Sequence, residues 1–423
     1  MPASLVPALL VIAALGQRPY PTRGGAIQAE EVSYQQQAFK QWWGDELVFK
    51  LDDLPAEAKV PDFRVPYSGH DYPDKAGGTV VAMMKYDQAF HSGRPLATEY
   101  ERQDIGAHRG GRSRPDAPAG RGLFGRLFAG RSRTPGWYGH CNGWTAAAIR
   151  HAEPQHSVVR NGVTFTPADI KGLLAEIYMY TESEFLGGVD PAINPGTLHV
   201  VLTNWLGRGS HPVGMETAVG EVVINYPIFA YKTKINRLSP RQAEVQMTVS
   251  YTLNIGREQD KGPTDHHKTM FFHYVLDLDE GGAITGGRFY GDSNQIDMLW
   301  TPLQPVQGGQ EKNKRGNPHL NIKEVLAIWR ESVPEDLRKK WLNVDPTQED
   351  RILPPEEKTT TLAADAATHA AEGKAAESSA AAAVSGAASA IVLGAASPVV
   401  SPSPATVTAV GASATVLSSG WGG

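Results

Sequence analysis

The sequence predicts an α+β fold: helices come first, an antiparallel sheet follows, and the chain's one cysteine stands at the start of a helix packed on that sheet. Three observations carry this. A run of good helix formers, Thr145 to Glu153 (TAAAIRHAE), follows closely on Cys141 and is stopped by Pro154. Thr166-Pro167-Ala168-Asp169 reads as an N-cap, a proline at N1 and an acidic N3, after which Ile170, Leu173, Leu174, Ile177 and Tyr178 recur at helical spacing. Val245, Met247, Val249, Tyr251, Leu253 and Ile255 alternate with polar residues, the period of a half-buried antiparallel strand.

In chain order, residues 1–16 hold an apolar run from Leu5 to Leu15 and end in Ala14-Leu15-Gly16, small residues where a signal peptidase reads. No Lys or Arg precedes the run, but the pattern predicts a signal peptide and a secreted, periplasmic or cell-surface protein. Residues 17–134 form an N-terminal segment, and its basic, Gly- and Pro-rich stretch at 109–133 reads as a surface loop. It lacks the strand before and helix after that a phosphate cradle needs. Residues 135–345 are the expected core. There, Leu198 to Leu202 (LHVVL) reads as an apolar strand and segments 221–235 and 269–278 as further strands. Gly281-Gly282 turns the last of these back into 283–290. An amphipathic helix with Val325, Leu326, Trp329 and Val333 closes the core before Pro334. Residues 346–423, mostly Ala, Ser, Gly, Val and Pro, bury too little large apolar surface to offset chain entropy and are expected to be disordered. The uncharged stretch from Ser378 is long enough to span a bilayer, but alanine dominates it and two Ser-Pro steps follow, so no stable membrane insertion is expected.

The hydrophobic share of 41% and charged share of 20% are those of a soluble globular protein, and a net charge of −5 argues against a nucleic-acid partner. Against that background the chemistry centres on Cys141, in Trp137-Tyr138-Gly139-His140-Cys141-Asn142-Gly143-Trp144. A lone thiol makes no intrachain disulfide, and in an exported protein an idle one is penalised. At a helix N-terminus the macrodipole and unpaired N–H groups favour the thiolate; a drop of about two pKa units would raise its share at pH 7 from roughly 3% to about three quarters. The plainer alternative is a small buried hydrophobe in an Ala-rich helix start.

A thiol nucleophile needs a base within hydrogen-bond reach and a third group to orient the base. His199 opens an apolar segment. His273 is its rival: with 280–283 as the turn, residue 271 falls opposite Asp292, on the face of His273. The residues alone leave the base open between the two. His140 should point away from the thiol and be structural, and His266 and His267 lie in a polar loop. Trp144, Trp205 and Trp300 would line a dry acceptor channel or, more simply, pack in the core. No Asp-x-Asp-x-Asp-Gly loop and no Cys/His ligand spacing is present, so no cofactor or metal, calcium included, is expected.

The segment Gly139 to Pro154 (GHCNGWTAAAIRHAEP) resembles the active-site segment of the elicitor-type transglutaminases, a family of oomycete cell-wall proteins with bacterial relatives. Asn161 to Lys171, Asn194-Pro195 through His199 to Asn204 and Gly207, and Leu278 through Gly286-Gly287 to Asp297-Met298-Leu299-Trp300 agree in order. Glu221-Val222 and Asn225-Tyr226-Pro227 through Tyr231-Lys232 resemble the surface peptide that plants recognise as an elicitor. The resemblance covers roughly 135–305 and implies a papain-like arrangement. In it Cys141 is the nucleophile, His199 the base, and Asp292 or Asp297 the acidic partner; Asp297 lies in the better-matched motif, but Asp292 also neighbours the hairpin face and is favoured. It implies a protein-glutamine γ-glutamyltransferase acting on proteins that bear glutamine and lysine, or on small primary amines. A cysteine protease or amidase using the same thiol, or a catalytically silent secreted surface protein, are the alternatives.

Overall fold

The computed structural model describes residues 25–109, 138–188, 192–217, 223–256, 266–291 and 293–344. Residues 1–16, expected to be a signal peptide, nearly all of the basic stretch, Asp292 and the Ala-rich tail lie outside these residues. The chain enters through strand β1 (Gly25–Ala26), helix α1 (Ala29–Trp43), strand β2 (Glu57–Lys59) and helices α2 (Val80–Phe90) and α3 (Leu96–Arg109). Helix α4 (Cys141–Arg150) leads to strands β3 (Val158–Arg160) and β4 (Val163–Phe165), helix α5 (Pro167–Tyr178), strand β5 (Ser183–Gly188), helix α6 (Pro195–Val201) and strand β6 (Val213–Glu216). Strands β7 (Asn225–Ser239), β8 (Gln242–Thr252), β9 (His267–Leu278), β10 (Ile284–Phe289) and β11 (Met298–Pro302) follow, then helices α7 (Ile322–Ser332) and α8 (Glu335–Val344).

Mixed helix and antiparallel sheet is the architecture the sequence predicts. The nine-stranded sheet runs β1-β10-β9-β8-β7-β6-β11-β5, with β2 also on β7 and every pairing antiparallel. Strand β8 shows why it forms: Val245, Met247 and Val249 are fully buried while Gln246 and Thr248 between them are exposed. Gly281 and Gly282 turn β9 into β10, with Gly282 at φ 82° where an L side chain is disfavoured. In α5, Thr166 and Asp169 form both bonds of a capping box, so this helix start is as the sequence predicts.

Two readings change. Residues 198–202 are not a strand: Asn194 caps α6 through its side chain, which accepts from Gly196 N at 2.8 Å, and Pro195 sits at N1. A short buried apolar run carries the same pattern in either conformation, and the Asn-Pro start decides it. The cysteine helix ends at Arg150, three residues before Glu153. Two strands of the described part of the N-terminal segment join the main sheet, β2 on β7 and β1 on β10.

The interior has two large clusters and a small third. One lies between α1, α6 and the sheet and includes Phe39, Trp42, Trp205, Met247, Phe272 and Tyr274. The other joins α2, α4, α5 and α7 through Met83, Ala147, Leu173, Leu174 and Trp329. The third is Tyr67, Tyr72, Trp144, Ala148 and Ala175, with Cys141 and Tyr226 packed against it. Helix α4 is alanine-rich because it is enclosed: Ala146, Ala147 and Ala148 are all buried. Gly143 takes this furthest, because a Cβ there would come within 2.3 Å of the Ala175 carbonyl oxygen of α5. No helix among the described residues is long and apolar enough to cross a membrane.

Candidate active site

Cys141 is the first residue of α4, and the chain before it is tied down. His140 N donates to Asp71 O at 2.7 Å and Asp74 N to Tyr138 O at 3.0 Å. Gly139 fits only because it lacks a Cβ, which would lie 2.6 Å from Asp71 O and 2.9 Å from Tyr72 O. The segment 69–74 is therefore fastened across the start of the cysteine helix. The half-buried thiol lies 3.6 Å from Val223 O, to which its S–H donates, and the Asn225 side-chain amide N lies 3.7 Å from the sulfur.

Those surroundings set the resting state. Burial pushes the Cys141 thiol up; the main-chain and side-chain N–H groups of Asn225 pull it down, and the charges of Asp71 and Glu216 push it up again. Burial is the largest of these effects and the net shift is upward, which favours the thiol at rest over the thiolate expected from placement at a helix start alone. A proton acceptor is then required for reaction.

The histidines divide cleanly. His140 points away from the thiol, as expected. Its Nε2 is 2.9 Å from Glu176 Oε2 and 3.7 Å from Glu101 Oε1, all three residues being buried. Burial works to lower its pKa, but the two carboxylates outweigh burial and raise it to about 10. Glu101 in turn is raised to about 7, by burial first and by Glu176 next. Ligand atoms of Glu101, His140 and Glu176 lie within 4.8 Å of one another, close enough in principle for a cation. They are already satisfied by each other and by Thr79, whose hydroxyl donates to Glu176 at 2.7 Å and whose N–H donates to Glu101 at 3.0 Å. The trio reads as an internal ion-pair network anchoring the helix start.

His199 is 1% exposed and turned by α6 into the large sheet core, where its Nδ1 lies 2.8 Å from Tyr274 Oη. Burial lowers its pKa to about 3, so it is a neutral core imidazole. Among the described residues, no hydrogen bond or ring contact joins it to Cys141. His273 has its Nε2 3.0 Å from Glu244 Oε1 and its ring 4.1 Å from that of Tyr290. The β9–β10 register matches the expected turn, with Tyr290 N donating to His273 O at 2.9 Å, but its proposed partner Asp292 lies outside the described residues. Asp297 is buried just before β11, with its N–H donating to Glu216 O at 3.0 Å.

The imidazole on the segment fastened beside the thiol is His70, which the sequence reading passed over. Its Nδ1 lies 2.8 Å from Ile255 O and 3.4 Å from Asp71 Oδ1. A carbonyl can only accept, so Nδ1 carries the proton and Nε2 keeps its lone pair, the tautomer of a general base. The signal for it was Pro66-Tyr67-Ser68-Gly69-His70-Asp71-Tyr72-Pro73, a His-Asp step in an aromatic, proline-bounded loop. The tryptophans divide as well. Trp144 packs beside Cys141 and Trp300 bonds to Asn225, whereas Trp205 sits in the distant cluster with Trp42 and Phe39.

A family profile described as "Transglutaminase elicitor" matches residues 129–189, the stretch that carries Cys141. The fold is similar to the crystal structure of the GP42 transglutaminase from Phytophthora sojae, with a TM-score of 0.55 and 20% sequence identity over 73% of this chain and 99% of that one. No curated protein matches the chain by sequence. The profile ties the Cys141 segment to that family's pattern, and the structural likeness shows the shared fold.

Proposed function

We propose that the protein is a transglutaminase that joins glutamine and lysine side chains through a thioester on Cys141. The observation that carries this is a half-buried free thiol opening a helix, within the segment matched by the family profile. The thiol proton passes to His70 Nε2 as the sulfur attacks the γ-carboxamide carbon of a protein glutamine. The tetrahedral intermediate collapses as the imidazolium returns that proton to the departing amide nitrogen, which leaves as ammonia. A lysine amine then attacks the thioester carbonyl, His70 takes its proton, and collapse releases the isopeptide and restores the thiol. Asp71, 3.4 Å from His70 Nδ1, stabilises the imidazolium in both halves. The family resemblance gives these two roles to His199 and Asp292 in a papain-like arrangement; burial of His199 on Tyr274 favours His70. The apolar run at 5–15, read as a signal peptide, supports an exported protein that would meet protein substrates with exposed glutamine and lysine.

The test is incorporation of a labelled primary amine into a glutamine-bearing protein by the full chain and by Cys141→Ala. The variant is expected to lose incorporation while unfolding within about 1–2 kcal/mol of the parent, since removing one sulfur leaves little cavity. A folded Cys141→Ala protein that still incorporates amine would rule out the thioester. Glutamine deamidation without amine transfer would make the protein an amidase.

A further inference from the structure

Among the described residues, Asn225 is the one whose side-chain amide is aimed at the sulfur of Cys141, and its orientation is not free. An asparagine amide can be turned end for end, exchanging donor for acceptor. Here the Trp300 indole N–H, which can only donate, lies 2.8 Å from Asn225 Oδ1, so the oxygen end is fixed on Trp300 and the NH2 end on Cys141. The backbone of Asn225 is held by the nucleophile's own helix, through Thr145 Oγ1 donating to Asn225 O at 3.1 Å. Room for the indole comes from Gly214 on β6, where a Cβ would lie 2.6 Å from the Trp300 ring. Gly214, Trp300, Asn225 and Cys141 thus form a connected series from three strands to the helix start.

We infer that Asn225 is a catalytic residue, donating first to the Cys141 thiolate and then to the oxyanion of the tetrahedral intermediate, and that Trp300 is the positioning residue that keeps its amide turned the right way. This rests on the proposed thiol chemistry. No proton is transferred: Asn225 stays neutral and its N–H follows the negative charge from sulfur to oxygen as the S–C bond forms. The site is buried at Asn225, where such a donor acts with little competition from water. The neutral thiol at rest makes the donor useful, because charge develops on the sulfur only when a base removes its proton.

The test uses the full chain and reads two quantities, the pH midpoint of Cys141 alkylation by iodoacetamide and kcat for amine incorporation. Asn225→Ala should move the midpoint to higher pH and lower kcat by ~10² or more, with KM for the glutamine substrate changed much less. Asn225→Asp, isosteric and still able to accept from Trp300, should raise the midpoint further, and it decides the matter if Asn225→Ala does not fold. Trp300→Phe should act in the same direction with a smaller effect, and the Asn225→Ala/Trp300→Phe double variant should be no worse in either readout than Asn225→Ala. An unchanged midpoint and kcat in folded Asn225 variants, with the parent active, overturns the inference and leaves the proposed function standing. A shifted midpoint in a protein whose parent transfers no amine does the reverse: the function falls and Asn225 keeps its role toward the sulfur.

Discussion

A histidine in the core and a histidine on a loop answer to different physics, and His199 and His70 show it at the scale of single residues. His199 is held neutral by burial, with a folded pKa of about 3 against 6.5 for the free side chain. Between those values the unfolded chain binds a proton that the folded chain does not, so the stability His199 contributes is present above pH 6.5 and is lost as the pH falls towards 3. His199→Gln should therefore be less stable than the parent at pH 7, and its urea midpoint should fall less steeply between pH 7 and 5, with kcat for amine incorporation little changed. His70→Gln should keep the urea midpoint and lower kcat by at least the ~10² typical of a lost general acid–base group. The reverse pattern, turnover lost with His199 and kept without His70, would return the base to His199 and make the resting arrangement on Tyr274 a closed state. The residues that carry the proposed chemistry beside Cys141, Asn225 and His70, were hard to single out because polar side chains become legible only when the fold gives them partners. Cys141 was legible because it had no competitor.

Helix α4 is the element on which the site depends, and its sequence carries a conflict that the packing resolves. Glycine inside a helix costs about 1 kcal/mol relative to alanine, so Gly143→Ala should stabilise α4 in isolation. In the protein the added Cβ would stand 2.3 Å from the Ala175 carbonyl oxygen, a backbone atom that cannot swing aside. Overpacking of this kind costs typically 1–3 kcal/mol and exceeds the propensity gain. Gly143→Ala is expected to lower the midpoint of urea unfolding and, by pushing α4 off α5, to slow alkylation of Cys141; a more stable variant would show that the two helices are not in contact as described. The same comparison of local signal with packing explains which elements the sequence revealed. The capping box of α5, the alternation of β8 and the Gly281-Gly282 turn are set by neighbours close in the chain, and all three were readable. Residues 198–202 misled because an apolar run says only that a segment is buried, and whether it coils depended on reading Asn194-Pro195 as a cap and first turn instead of a loop. The thiolate expected at the helix N-terminus is opposed for a similar reason: the dipole is local, but the burial that raises the thiol comes from side chains such as Tyr226, Trp144 and Tyr72, distant in sequence or set by the fold.

For the whole molecule, the question is where the folded unit begins. A sequence boundary at 135 looked natural because the basic stretch precedes it and the family resemblance follows it. The strands disagree. Strand β2 pairs Glu57, Ala58 and Lys59 with Lys232, Tyr231 and Ala230, on an edge of β7 that residues 135–345 alone would leave open. Helix α1 puts Phe39 and Trp42 into the sheet core at 1% and 4% exposure, and α2 puts Met83 and Tyr86 into the helical core at 0% and 1%. Each such side chain contributes about 1.5–3 kcal/mol or more on burial, and a whole domain is stable by only about 5–15 kcal/mol. Losing four of them, with the others in 25–109, removes most or all of that margin. A fragment of residues 135–345 should therefore show no cooperative urea transition by circular dichroism, whereas deletion from Thr359 onward, through a stretch poor in large apolar side chains, should leave the full chain's transition and its amine incorporation nearly unchanged. A cooperative transition in the 135–345 fragment would mean that the N-terminal elements only decorate a self-sufficient core, and it would take His70 and Asp71 out of the unit that folds around Cys141. Failure of the fragment to fold, with function kept on loss of the tail, ties the proposed proton acceptor and the nucleophile to one cooperative body, because the loop that carries His70 is bonded to Ile255, Tyr138 and His140 of the 135–345 region.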